Sequence, residues 1–407
     1  MEILYTSDLN VGLKNEAGEG KLSESAYLEK FKKNLTEIAQ KNDWKHSGQN
    51  AQFLGQTQQS EDLQTEYQVH SVCPYTDGNL LYSVAAQSAR TSVTAIIKKN
   101  SSDDTEQYLI HRDKEVIHAI DFDGGDKIAA SLTDIGKVSR DIALFSVASN
   151  DFYRLTGGDS VDDNPYFSKC DGKILFDTRG IGRNAAMEIA GYSESMICAI
   201  NENRAVEEIA AESGYDLFSA KNDAGGNLYY IKKPHQNKAS GKSVGRMLLD
   251  VLLLPFWLIY GLIKILFFFA GVAQKSAKKG KNVSYGNNPY VEEQKSEREL
   301  YIQNEKLDIE KEEQRNKRSG DKNPGFAPQK FELWRTSLSG EKTRLAKGVL
   351  DYDLTADQKI VFTNGRYVFL LDGEERKLLF GDKKIQRIRI NGGEYRSGSS
   401  FDPFGAH

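Results

Sequence analysis

One phrase recurs along the chain: a turn rich in Asp, Gly or Asn, followed at once by a short apolar strand. It reads YTDGNLLYSV at 75–84, FDGGDKIAASL at 122–132, SKCDGKILFDT at 168–178, NDAGGNLYYIK at 222–232 and TADQKIVFTN at 355–364. Successive starts lie roughly 45 to 55 residues apart until the last gap, which is about 130. Setting aside the stretch from about 235 to 328 brings that gap into line with the others. A fixed period constrains a fold strongly, because every unit must bury the same apolar surface by the same means.

Each unit reads as four short strands, since alternating or β-branched runs are separated by turn chemistry and are too short for stable helices. One unit is DNPYFSKCDG, KILFDTRG, MEIAGYSESMICAIN and RAVEEIAAES; another is AIDFDGG, KIAASLTD, DIALFSVAS and DFYRLTGGD. Four strands at a period in the forties predict β-propeller blades, whose radial packing buries sheet faces that no blade could bury alone. The stretch RLTGGDSVDDNPYFSKCDGKILFDTRG, Arg154 to Gly180, resembles the repeat of the TolB-like (WD-type) propellers: a Leu-Thr pair, Asp/Asn-Pro, an aromatic, Ser, an Asp-Gly turn and a strand ending near Arg. Only this blade matches closely; the others keep the turn and strand but lack the Pro and the leading pair. The resemblance implies six blades. It carries no periplasmic role, because the N-terminus MEILYTSDLNVGLKNEAGEG has neither the basic nor the apolar region of an export signal.

The chain ends add a test of closure. KKIQRIRING near the C-terminus reads as a first strand without a second, and MEILYTSD as a second strand without a first. Joined, they predict an all-β, six-bladed propeller closed by N- and C-terminal strands, with no exposed sheet edge. The first part is then 1–234, with the ring-closing strand at 1–10 and a helical insertion at about 20–45. In that insertion Leu22, Leu28, Phe31, Leu35 and Ile38 share one helical face. The last part is 329–398, followed by a tail at 399–407.

Between the parts, 235–328 holds a segment unlike the rest. From Met247 to Ala273 a helix would run about 40 Å, more than the roughly 30 Å hydrocarbon thickness of a bilayer. The residues predicted to anchor it are Arg246, Leu249, Leu252, Pro255, Phe256, Trp257, Ile259, Leu262, Leu266, Phe267, Phe268, Phe269, Lys275, Lys278 and Lys279. Basic residues flank both ends, Lys238, Lys242 and Arg246 before and Lys275, Lys278, Lys279 and Lys281 after, which marks both as cytosolic. Pro255 and Gly261 offer a bend. Asp250 and Lys264 would cost on the order of 3 kcal/mol each at the bilayer centre. An inserted membrane-associated helical segment, re-entrant or in-plane, fits one closed propeller. A single-pass helix between separate N- and C-terminal β domains, acting as a sensor, is the alternative. The return path, a charged helix or linker at 286–325, has sparse Leu300, Ile302, Leu307 and Ile309 and no sustained heptad, so it reads as a solvated strut or spacer.

Chemistry is sparse. GKSVG at 241–245 matches G-x-S-x-G but lacks the preceding strand of a nucleophile elbow, and Gln236 stands where a P-loop needs its first Gly. The six histidines, His46, His70, His111, His118, His235 and His407, show no metal-ligand spacing. The run GGDSVDD at 157–163 lacks the twelve-residue calcium loop. Cys73, Cys170 and Cys198 are an odd number with no C-x-x-C. A net charge of −4 carries no basic excess for nucleic acid. TolB-like blades also gate prolyl-oligopeptidase-type hydrolases, and an unrecognised hydrolase is the remote alternative. The expectation is a non-catalytic protein-interaction scaffold without cofactor. Its partners would be the anionic lipid of the cytosolic membrane leaflet and an unidentified protein or peptide.

Overall fold

The computed structural model describes residues 1–34, 37, 65–87, 92–149, 151–201, 203–236, 299–302 and 305–391. They belong to two units: Met1–Ile181, Tyr192–His235 and Glu293–His407 form one, and Gly182–Gly191 with Gln236–Glu292 form the other, most of which lies outside the described residues. The first unit is a six-bladed propeller.

The chain opens with β1 (Glu2–Ser7), β2 (Asn10–Asn15) and β3 (Gly20–Glu24). A complete blade follows in β4 (Glu66–Pro74), β5 (Leu80–Gln87), β6 (Ser92–Lys99) and β7 (Glu106–Asp113). The next is β8 (Glu115–Phe122), β9 (Lys127–Asp134), β10 (Asp141–Ser146) and β11 (Phe152–Arg154). The fourth runs β12 (Ser160–Phe167), β13 (Ile174–Arg183), β15 (Met196–Ile200) and β16 (Val206–Ala210), with β14 (Ile189–Tyr192) between β13 and β15 in the chain. The fifth has β17 (Tyr215–Asn222) and β18 (Leu228–Pro234); a hairpin, β19 (Glu299–Ile302) and β20 (Glu305–Asp308), and a helix, Ile309–Arg318, intervene before β21 (Glu332–Thr336) and β22 (Lys342–Lys347) complete it. The sixth is β23 (Asp351–Leu354), β24 (Ile360–Thr363), β25 (Tyr367–Asp372) and β26 (Glu375–Gly381). Finally β27 (Arg387–Asn391) pairs with β1, Ile3 opposite Ile390 and Tyr5 opposite Ile388, so the last strand is the innermost strand of the first blade. Closure through both termini leaves β1 paired on both sides, by β27 and β2.

Period-two alternation explains the packing, because each middle strand has a neighbouring blade on both faces. Along β5, Leu80, Tyr82 and Val84 join Leu4 and Val11 of the first blade, while Leu81 turns the other way to Ile117, Ile120 and Ile128 of the third. Equivalent clusters fill the remaining junctions; the largest unites Phe218, Ile231 and Leu333 of the fifth blade with Tyr352, Phe362 and Phe369 of the sixth. Burial on both faces is why the strands read as near-continuous apolar runs such as LLYSVAA. The recurring turns supply the left-handed backbone that a tight hairpin demands, at Asp77 (φ 58°) with Gly78 (φ 72°) in the second blade and at Gln358 (φ 65°) in the sixth.

Three expectations change. A sensor of two separate β domains joined by one crossing is overturned, since Leu228–Lys232 of β18 pair directly with Glu332–Thr336 of β21 and the chain termini share a sheet. The helical insertion at 20–45 starts later: Gly20–Glu24 is the outer strand of the first blade, with Leu22 exposed, and helical backbone runs over 26–34, where Tyr27 and Leu28 join the core. Leu35 and Ile38 lie outside the described residues. From Glu299 on, the described residues of the return path are no solvated spacer, because Leu300, Leu307 and Ile309 are buried and Phe326 is fully enclosed; 286–298 lie outside the described residues. The segment 247–273 and its anchoring residues lie outside the described residues; among those described, no helix is long and apolar enough to cross a membrane.

Candidate functional site

The innermost strands line the axis, and four of them carry a bulge: at His70 in β4, at His118 in β8, at Asn164–Pro165 in β12 and at Ser219–Ala220 in β17. A bulge bends the strand and re-aims a side chain. The His70 and His118 rings thereby meet edge to face, centroids 5.2 Å apart. Asn164 and Ser219 adopt positive φ, 51° and 54°, and each engages the same carboxylate: Asn164 Nδ2 donates to Asp177 Oδ1 at 2.8 Å and the Ser219 N–H to it at 3.0 Å.

Two or three residues beyond these bulges the inner strands bury a ring of mostly charged side chains. Each inner strand contributes one buried residue: Cys73, Asp121, Tyr166, Lys221, Asp353 and Arg389. Lys221 Nζ donates to Asp353 Oδ1 at 2.8 Å and to the Tyr352 carbonyl. Arg389 Nη1 meets Asp351 Oδ2 at 3.2 Å. The carboxylates also cap amides on the next blade's inner strand, Phe167 N–H donating to Asp121 at 2.8 Å, Ile388 N–H to Asp351 at 2.9 Å and Ile390 N–H to Asp353 at 2.8 Å. An inner strand pairs on one side only, so its other edge needs acceptors, and these acids supply them.

The charge states follow from that geometry. Burial pushes the Asp121 carboxyl up to about 6, against the pull of Arg389 and Lys221. Burial also acts against ionised Asp353, but Lys221 and Arg389 outweigh it and draw the carboxyl down to about 2. Burial lowers Lys221, partly offset by Asp353, and raises the Cys73 thiol and the Tyr166 hydroxyl. Two cations facing three carboxylates, all bonded, make an interlocked plug of charge; the arrangement stitches blades together.

A second constellation sits where the chain leaves the fifth blade. Asp216 accepts the Ser195 N–H at 3.0 Å and contacts His235 Nδ1 at 2.7 Å, while Lys233 Nζ lies 3.7 Å from it. Ser, His and acid do converge here, yet the Ser195 hydroxyl is buried without a hydrogen-bond partner among the described residues and does not bond His235. Nucleophile–base contact defines a catalytic triad, and this cluster is instead a clamp on the departing strand. Lys233 also reaches Glu305 Oε2 at 3.3 Å, and Lys330 bonds the other oxygen of Glu305. The departing strand and the returning hairpin, which is a two-stranded sheet of its own, are therefore pinned to one another.

Of the sequence-predicted residues, the membrane-anchoring set lies outside the described residues, so the axial layer and the Asp216 clamp are new. Neither has a spacing signature, because its residues are spread over several strands. Only charged residues inside apolar β runs, as in KIAAS preceded by AIDFD, hint at them. Among the described residues no group of His, Cys, Asp and Glu is arranged to hold a metal ion.

No family model and no curated protein sequence matches the chain. Solved structures with similar folds include TolB from Acinetobacter baumannii, at 9% identity over 95% of this chain and 80% of that one, TM-score 0.38. A putative 6-phosphogluconolactonase from Bacteroides fragilis shares 8% identity over 95% and 97%, TM-score 0.37. A putative TolB from Agrobacterium tumefaciens shares 15% identity over 42% and 72%, TM-score 0.29. At such identities and scores no ligand or activity passes from them to this chain, and the propeller assignment rests on the strand pairings above.

Proposed function

We propose that the protein is a non-catalytic interaction platform held at the cytosolic face of a membrane. The observation that carries the reading is the pinned base of the insertion. Because β18 and β21 belong to one blade and the returning hairpin is tied to β18 through Lys233 and Glu305, the described chain on either side of 237–298, at His235 and Glu299, belongs to one folded unit. An apolar run of membrane composition within 237–298, at 247–273, must then dip in and come back or lie in the interface, with basic residues at both flanks on the cytosolic side. The engaged state of the axial charges supports a structural role for them, which leaves the loops of the propeller as the surface for a protein or peptide partner.

The test is cysteine accessibility in intact spheroplasts, with single cysteines at Lys238 or Lys279, Cys73, Cys170 and Cys198 replaced, and a membrane-impermeant label. Both positions are expected to label only after lysis. Labelling of either one in intact cells would sink the cytosolic assignment, and recovery of the whole chain in the soluble fraction would sink the attachment.

A further inference from the structure

Between the fifth and sixth blades a cavity of about 380 Å³ stays open. Its apolar wall comes from both sheets: Leu345 and Ala346 of β22 pack against a junction cluster that contributes Phe362 and Leu371 of the sixth blade. Small-molecule sites run from about 300 to 1,000 Å³ and are mostly apolar, with a few polar groups that set orientation. Here the polar wall carries both signs in equal number, Lys347 and Arg376 against Asp321 and Glu374. Two of the four are already engaged: Lys347 Nζ lies 3.7 Å from Glu332, and Asp321 accepts the Asn323 N–H at 3.1 Å. Arg376 and Glu374 make no hydrogen bond or ion pair among the described residues. Arg376 is nonetheless held in place, its guanidinium carbon 3.6 Å from the centre of the Phe369 ring and 5.1 Å from that of Phe362. Packing on an aromatic face anchors a guanidinium and leaves its N–H fork for an acceptor with two oxygens. Ser319 and Gly320, which follow the C-terminal end of the helix Ile309–Arg318, also line the cavity, and that pole of a helix favours a positive charge beside it.

We propose that this cavity binds a small apolar zwitterion, an amino acid or dipeptide whose carboxylate meets the Arg376 fork, whose ammonium meets Glu374, and whose side chains rest on Phe362 and Leu371. A purely anionic ligand would face Asp321 and Glu374, and a purely cationic one Lys347 and Arg376. A ligand carrying both charges matches both, and the apolar wall asks for a hydrocarbon side chain. The site is independent of the membrane-attached reading, because its residues all belong to the propeller and the returning segment.

The experiment is calorimetric titration of the full chain with L-leucine, L-phenylalanine and leucyl-leucine, followed by the N-acetyl and C-amide forms of whichever binds. Capping either end should weaken binding at least about tenfold, the worth of one charged hydrogen bond. Glu374→Gln, in an exposed turn, should weaken the free ligand by a similar factor and leave the N-acetyl form unchanged. Arg376→Gln should weaken the free ligand and leave the C-amide form unchanged. Binding of leucine and phenylalanine would assign the site to amino acids, and of leucyl-leucine alone to dipeptides. The proposal is overturned if none of the three binds more tightly than about 1 mM. It is equally overturned if capping has no effect, or if Glu374→Gln weakens the free and acetylated forms alike.

Discussion

Asp121 is the residue where the cost of the axial plug concentrates. It caps the Phe167 amide across a blade junction, yet it is buried beside Asp353, and its carboxyl is pushed up to about 6. An unfolded aspartate titrates near 3.9. The folded chain therefore holds this proton more tightly, and the stability that Asp121 contributes is full below about pH 4 and is lost as pH rises through 6. Asp353 works in the opposite sense: its carboxyl is drawn down to about 2, so its contribution is full above about pH 4 and is lost as pH falls toward 2. Asp121→Asn keeps an acceptor for Phe167 while removing the titration. Urea unfolding of the variant and the parent should give stabilities whose difference shifts in the variant's favour by up to about 3 kcal/mol between pH 4 and pH 7. A difference that stays flat would mean that Asp121 titrates as it does in water.

At the scale of elements, the returning segment shows how a charged stretch becomes fixed structure. Asp308 caps the helix Ile309–Arg318 by accepting the Lys311 N–H at 3.0 Å, and Asn316 reaches the Gly325 and Ala327 carbonyls at 2.6 and 2.8 Å. Phe326 then slots beneath Gly365, whose φ of +96° and lack of a side chain make the space; a Cβ there would lie 2.6 Å from the ring. Arg366 grips Glu313 at 3.1 Å from the other side. Phe326→Ala should remove about 3–5 kcal/mol of local stability. Hydrogen exchange of the amides in 305–318 should accelerate by at least a hundredfold, while those of β4–β7 stay as they are; a uniform change over the whole ring would instead show that the segment and the propeller unfold together. The same segment shows where the sequence is hard to read. The hairpin turns are legible because positive φ favours Asp, Asn and Gly, with Gln358 and Arg204 as exceptions, and the repeat announces itself through them. Leu300, Leu307, Ile309 and Phe326 follow no period, since a hairpin, a helix and a loop each bury one or two side chains against a surface built elsewhere. The bulges at His70 and His118 are equally silent, because an extra residue in a strand buried on both faces leaves no break in an apolar pattern.

For the whole molecule, closure and insertion are separable. The ring is completed by β27 on β1 and by junction clusters assembled from described residues outside 237–298. The ends of that segment are held by the Asp216 clamp and by Glu305, so the loop joining them need not define its own closure. Replacing 237–298 with eight Gly and Ser residues shortens a closed loop, which by chain entropy alone favours folding by no more than about 2 kcal/mol. The shortened protein should thus keep its fold, with urea stability within about 2 kcal/mol of the parent, and it should leave the membrane fraction. Ending the chain at Gly381 should do the reverse. It removes Arg389 from the axial layer and bares the edge of β1, so cooperative unfolding should be lost and the chain should aggregate even though the apolar segment remains. Sedimentation and near-ultraviolet dichroism on the two proteins give both readings at once. If the first loses its fold, the segment is part of the propeller's core; if it stays with the membrane fraction, the attachment lies in the propeller faces alone.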